Sequence, residues 1–227
     1  MIVFGLAIAD DVKYERWALP GVRRIAESDS LVLPCRTERS IQEAYNSILE
    51  EAAELPDLEA VVLLHEDTEI AGPTFLATVR RGFADPTVGV LGPIGASEVR
   101  TMAWWEGNTF GRVGAPNFGG DPLMLAAVPN GWHDVDALDG LLIVVSPWAA
   151  REVRFDERFA PYFHGYDVDY CFQVRARRRR CLVAPMNVVH HTIWRPEHGR
   201  AWIDASIVWQ RKWGINETPR PAGLALA

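Results

Sequence analysis

Four clusters in the chain carry side chains able to do chemistry. His65-Glu66-Asp67 follows directly on the apolar run Ala60-Val-Val-Leu-Leu64. Carboxylates at that point could hold a hard divalent cation, Mg²⁺ or Mn²⁺, with a diphosphate on its far side. The plainer reading is a strand end turning polar as it meets solvent. Phe155-Asp-Glu-Arg-Phe159 leads into His164-Gly-Tyr-Asp-Val-Asp-Tyr170. There Asp167 and Asp169 either complement the positive end of a helix or, where one faces a cleft, accept a proton from a hydroxyl. Two residues apart at a helix start, they point in different directions, so one can cap while the other works. His190-His191 cannot chelate one ion jointly, because adjacent side chains diverge. One of them joining Asp67 on a metal is chemically sound, as is a histidine with no metal role. Trp104-Trp105 offers aromatic faces of the kind that stack on sugar rings and bases, although most tryptophans are core residues.

These residues need elements to position them. Ile2 to Ile8 reads as a buried strand, followed by a short helix that Asp11 could cap and that Pro20-Gly21 interrupts. Leu31 to Leu33 is a second strand, ending at Pro34-Cys35-Arg36. Ser40-Ile-Gln-Glu43 is a capping box, with Ile41, Ala44, Tyr45, Ile48, Leu49 and Ala52 at helical spacing behind it. Ala60 to Leu64 is a third strand, and a helix opens near Pro73. Val88 to Leu91 makes a fourth strand. Such βαβ alternation predicts a mostly parallel central sheet with helices on both faces. In an open sheet of that kind ligands bind beyond the carboxyl ends of the strands, which is where His65-Glu66-Asp67 falls. Glu106 to Gly131 is rich in Gly, Pro and Asn and reads as a long loop or irregular hairpin, a candidate lid. Leu141 to Val145 is a strand, Ser146-Pro147 starts a helix, and Val168, Cys171, Phe172 and Arg175 mark another. The basic run Arg177 to Arg180 ends that helix as a solvated complement to its dipole. Cys181 to Ala184 is expected to be the last strand, and Trp202, Ala205, Trp209 and Trp213 form a packing stripe of a final helix. One domain over residues 1–215 with a flexible tail at 216–227 is the expected organisation.

Composition narrows the function classes. With 48% hydrophobic and 23% charged residues among 227, the chain is an ordinary globular one. A net charge of −7 argues against a general nucleic-acid binder. No run approaches the ~20 apolar residues of a membrane span, and the apolar opening lacks the basic start of a signal peptide. Three cysteines, Cys35, Cys171 and Cys181, cannot all pair, which suits the reducing cytoplasm.

Taken in order, the segments QEAYNSILEEA, VVLLHEDTEI, DPTVGVLGPIGA, WWEGNTFGRV, LDGLLIVV, FDERFAPYFHGYDVDYCFQVRAR and VVHH resemble the glycosyltransferase family 2-like group. The match is nearest to its streptomycin-biosynthesis glycosyltransferase-like branch and spans roughly Arg36 to Trp213. The resemblance implies an α/β protein with a single GT-A domain, a nucleotide-diphospho-sugar donor and a divalent metal, Mn²⁺ or Mg²⁺. Asp67 then stands on the metal-binding DxD motif, with His65 in place of its usual first aspartate. His190, with His191 as the alternative, matches the family's C-terminal metal histidine. Ala9, Asp10, Arg36, His65, Glu66, Asp139 and Gly140 fall around the donor, and Trp104, Trp105 and Tyr166 on the acceptor side. Asp167 falls on the aspartate of the family's ED motif, the general base, with Tyr166 in place of the acidic residue before it.

The activity so implied is transfer of a sugar to a hydroxyl of a sugar, lipid or small-molecule acceptor, with inversion. The alternative is a catalytically silent domain of the same fold that binds a nucleotide sugar. A nucleotidyltransferase is disfavoured, because Ala9-Asp10-Asp11 replaces the Gly-rich basic loop it needs after the first strand.

Overall fold

The computed structural model describes residues 1–36, 39–115, 123–126, 131–191 and 199–214. Its first half follows the expected alternation. Strand β1 (Ile2–Ile8) leads through helices α1 (Asp11–Lys13) and α2 (Leu19–Ile25) to β2 (Leu31–Arg36) and α3 (Ile41–Ala53). Then come β3 (Ala60–His65), β4 (Thr68–Ile70), α4 (Phe75–Phe83), β5 (Val88–Gly92) and β6 (Ile94–Ser97). The second half contains β7 (Asn108–Ala115), β8 (Leu123–Ala126), β9 (His133–Val135), β10 (Ala137–Leu138) and β11 (Leu142–Val145). It closes with α5 (Pro147–Glu152), α6 (Tyr166–Ala176), β12 (Arg180–Val183), β13 (Val188–His190) and α7 (Gly199–Trp213).

The main sheet has the order β2-β1-β3-β11-β5-β12-β9. Strands β1, β2, β3, β5 and β12 run one way, while β11 and β9 run against them. Residues of β3, β5 and β11 are buried at successive positions, so both faces of the sheet are covered. A second sheet, β10-β6-β7-β13-β4 with β8 beside β7, adjoins it. Ser40 caps α3, its Oγ accepting from the Glu43 N–H at 3.1 Å, and Ser146 caps α5 in the same way.

Three local expectations are corrected. Asp10, not Asp11, caps the first helix, its Oδ1 accepting from the N–H groups of Val12 and Lys13. Pro20-Gly21 does not interrupt that helix. A π-helical segment, Tyr14–Ala18, precedes Pro20. Its wider turn relieves the clash that a proline ring makes with the preceding α-helical turn. Gly21 then lies on β4 so closely that a Cβ would stand 2.8 Å from the Ile70 nitrogen. Of the two readings of Glu106–Gly131, a long loop or an irregular hairpin, the described residues form the hairpin: β8 and β6 both pair antiparallel with the eight-residue strand β7. Its strand pattern was hidden by Gly111 and Gly114, which stand where side chains would alternate; a Cβ on Gly111 would lie 2.1 Å from the Pro93 carbonyl oxygen. Residues 116–122 and 127–130 of the candidate lid, and the tail from 216, lie outside the described residues. Finally, β12 is followed by another strand, β13, which carries His190 into the site.

Candidate active site

Strand direction assembles the site. β1 and β3 are parallel, with Ala7 opposite His65, so their carboxyl ends leave the sheet side by side. β11 is antiparallel to β3, with Leu142 opposite Leu64, which brings its amino end and Asp139-Gly140 to the same edge. In the second sheet His190 pairs with Thr68, so the end of β13 lies beside Asp67. Residues far apart in sequence thus share one cleft edge.

Side chains from the ends of β3 and β13 converge. Ligating atoms of His65, Asp67 and His190 all lie within 4.8 Å of one another. Asp67 is 6% exposed, so it is buried at its strand end. Its Oδ1 is 3.2 Å from His190 Nε2, and Lys13 Nζ is 3.6 Å from its Oδ2. Burial and the neighbouring His190 pull the His65 pKa down to about 4, leaving a neutral imidazole at pH 7. Burial acts the same way on His190, but the hydrogen bond and charge of Asp67 outweigh it and raise its pKa. A carboxylate with two imidazoles is a donor set that suits a divalent cation of the Mn²⁺ class, so the residues present fit the metal that the sequence implied. His65, placed near the donor by the sequence, belongs to this cluster. Lys13 was not foreseen; its only signal is a lone lysine one turn after β1.

His191 points elsewhere, as adjacent side chains must. Its ring stacks on Trp17 at 3.6 Å and its Nε2 is 3.1 Å from Glu69.

Asp167 sits at the start of α6, facing Asp139 and Gly140. Its Oδ2 accepts from the Gly140 N–H at 2.9 Å and its Oδ1 from the Val168 N–H at 2.9 Å. Burial first, then the charge of Asp139, push its pKa up to about 7. Such a value suits a group that must take up a proton near neutral pH. Burial also raises Asp139, whose Oδ1 accepts from the Leu141 N–H. Asp169 turns the other way and is fully buried. It binds Lys212 Nζ at 2.7 Å and accepts from the Trp213 indole N–H at 2.9 Å. The expected dipole-complementing role therefore understates it: Asp169 ties α6 to α7.

The remaining sequence candidates divide. Glu66 accepts from the Ala9 N–H at 2.6 Å, joining the ends of β1 and β3. Arg36 pairs with Asp11 at 2.8 Å at the end of β2. Trp105 is 54% exposed and lies against Trp202 at 6.1 Å. Trp104 and Tyr166, expected on the acceptor side, are buried and offer no open face to an acceptor. The Tyr166 hydroxyl is instead 2.5 Å from His65 Nε2 and donates to the Gly140 carbonyl at 3.2 Å. Phe163, which the sequence did not single out, is exposed beside the His65 ring at 5.9 Å with a left-handed backbone, φ 64°. Positive φ on a bulky residue is uncommon and gathers at functional sites.

Residues 25–206 match the glycosyltransferase-like family, most of the chain. The chain belongs to that family. This glycosyltransferase-like chain is 30% identical over 221 residues to the streptomycin biosynthesis protein StrF of Streptomyces griseus, covering 93% of itself and 74% of StrF. Among solved structures it resembles GalNAc-T7, determined with UDP, GalNAc and Mn²⁺, with a TM-score of 0.63 and 11% identity. That likeness covers 94% of this chain and 48% of GalNAc-T7, so the chain spans about half of that neighbour. It also resembles the mannosyltransferase PcManGT of Pyrobaculum calidifontis in complex with GDP-Man and Mn²⁺. There the TM-score is 0.58 at 15% identity, covering 97% of this chain and 65% of that one. At such identities the likeness carries the fold, which is GT-A. Among the described residues, no helix of this glycosyltransferase is long and apolar enough to cross a membrane.

Proposed function

We propose that this glycosyltransferase moves a sugar from a nucleoside-diphosphate sugar to an acceptor hydroxyl, with a divalent cation, Mn²⁺ or Mg²⁺, at Asp67, His190 and His65. The observation that carries the reading is the meeting of that ligand cluster with a carboxylate of pKa about 7, Asp167, at one sheet edge. A bound cation would supply Lewis-acid neutralisation of the departing diphosphate. Ala9, Asp10 and Glu66 line the end of β1, where a nucleoside would lie, and Arg36 flanks it. Asp139 and Gly140 border the sugar. Asp167 removes the acceptor proton as the new bond forms, a role supported by its raised pKa and by its carboxylate being held by two backbone N–H groups. One base and one direct displacement invert the anomeric centre. Trp105 and Phe163, both exposed, are the aromatic surfaces suited to an acceptor ring. The three free thiols support a reducing compartment, the cytoplasm.

The test is calorimetry with Mn²⁺ and UDP-, GDP- and TDP-sugars on wild type and Asp67→Ala, followed by turnover assays. Metal-dependent binding of one donor, lost in the variant, with slow hydrolysis in wild type supports the enzyme. Donor binding with no hydrolysis and no transfer to any acceptor would make the chain a silent nucleotide-sugar module. Unchanged affinity in Asp67→Ala removes Asp67 from the metal site.

A further inference from the structure

The Tyr166 hydroxyl has two partners and one proton. It donates to the Gly140 carbonyl at 3.2 Å and lies 2.5 Å from His65 Nε2. The Gly140 carbonyl can only accept, so a phenol that bonds both partners gives its proton to that oxygen and offers His65 a lone pair. His65 Nε2 must then carry the hydrogen, and Nδ1 is left with the lone pair. The arrangement has little freedom to change. Tyr166 is 3% exposed, and its ring lies among those of Tyr45 at 6.2 Å, Phe155 at 5.9 Å and Phe163 at 6.1 Å. Gly140 permits the approach because it has no side chain; a Cβ there would stand 2.3 Å from the Tyr166 oxygen. The other side of that residue is held by Asp167, which accepts from its N–H. A continuous relay, Asp167–Gly140–Tyr166–His65, therefore joins the carboxylate at the head of α6 to an imidazole at the end of β3.

We propose that Tyr166 is a positioning residue that holds His65 as its Nε2–H tautomer. His65 Nδ1 thereby becomes the third ligating atom beside Asp67 and His190. The inference rests on the reading that this cluster holds a divalent cation, and it goes further by fixing the chemistry of the donor set. Two imidazoles and one carboxylate favour Mn²⁺, Co²⁺ or Zn²⁺ over Mg²⁺, which prefers oxygen ligands and sheds its waters reluctantly. A hydrogen-bond partner on the distal ring nitrogen of a ligating histidine fixes the tautomer and raises its basicity. The two positions at which the chain departs from the acidic motifs it resembles, His65 and Tyr166, are thus bonded to each other as a matched pair.

The experiment uses metal ions alone, with no nucleotide sugar. ¹⁵N spectra of the His65 ring in the metal-free wild type at pH 8 should report the Nε2–H tautomer. Mn²⁺ titrations followed by the signal of the free ion should give tight binding that Mg²⁺ displaces only at about tenfold or greater excess. In Tyr166→Phe, which keeps the packed ring, Mn²⁺ affinity should fall about 10- to 100-fold, the usual effect of losing such a partner. An Nδ1–H tautomer in wild type, or unchanged Mn²⁺ affinity in Tyr166→Phe, overturns the inference. Asp67→Ala separates the two levels. If it abolishes Mn²⁺ binding while Tyr166→Phe does not alter it, the cation site stands and the role of Tyr166 falls. If Asp67→Ala leaves Mn²⁺ affinity intact, or wild type binds no Mn²⁺, the cation site falls and the inference falls with it. Should Tyr166→Phe fail to fold, the wild-type tautomer decides alone.

Discussion

Replacing Asp167 by asparagine should expose the stability that the fold gives up to hold this carboxyl at a pKa of about 7. The carboxyl moves from its ordinary 3.8 to about 7 on folding. For an acid with a raised folded pKa, the protonated form is the compatible one, so stability is greatest at low pH and is lost as pH rises from about 4 to about 7. The shift of about three units corresponds to about 4 kcal/mol in full, of which roughly 2.5 kcal/mol is lost between pH 5 and pH 8. Asparagine cannot ionise, so this pH-dependent loss disappears. It also has one acceptor where the carboxylate has two. One of the N–H groups of Gly140 and Val168 then faces an amide NH₂, a pH-independent penalty of about 1–3 kcal/mol. Urea unfolding of both proteins at pH 5 and pH 8 gives four free energies. The variant should gain roughly 2.5 kcal/mol relative to wild type on going from pH 5 to pH 8, whatever its absolute stability. In parallel, wild-type transfer should drop about tenfold for each pH unit below 7, while Asp167→Asn should lose about 10²-fold or more with donor affinity retained. Identical pH dependence of stability in the two proteins would refute the raised pKa. Full transfer activity in the variant would refute the base.

Lys212→Met should destabilise the protein by about 3–5 kcal/mol, because Asp156 and the fully buried Asp169 lose the ammonium between them; chemical denaturation measures it, and a loss under 1 kcal/mol would mean that α7 is held by packing alone. Gly140→Ala places a methyl group on the Tyr166 hydroxyl, so Mn²⁺ affinity should weaken and stability fall by about 1–3 kcal/mol; an unperturbed titration would show that the backbone yields there. Gly21→Ala should also cost about 1–3 kcal/mol, since the obstacle is the Ile70 backbone rather than a movable side chain; a thermal melt superimposing on wild type would contradict that close approach.

By itself the sequence determined what local patterning can determine. Apolar runs located β1, β3, β5 and β11, the Ser40 and Ser146 caps located α3 and α5, and helical spacing located α6 and α7, because these signals lie within one turn or one strand. It also marked the end of β3 as a candidate edge for chemistry, since His65-Glu66-Asp67 interrupts a buried run. It allowed a hairpin in the Glu106–Gly131 segment but could not place β7 within it, because glycines replace the alternating side chains. It could not see that the helix carrying Pro20 continues through a π turn, because that depends on how the segment packs on β4. Tertiary structure alone decided which candidates meet. His65, Asp67 and His190 converge only because β13 returns antiparallel to β4 from more than a hundred residues away. Asp167 and Asp169 have the same residue type and nearly the same position on α6. One faces the Gly140 peptide and the other a buried lysine. Tyr166, expected on the acceptor side, lies buried against His65 and Gly140 for the same reason. What a side chain does is set by the groups across the cleft, and the chain's local spacing carries no record of them.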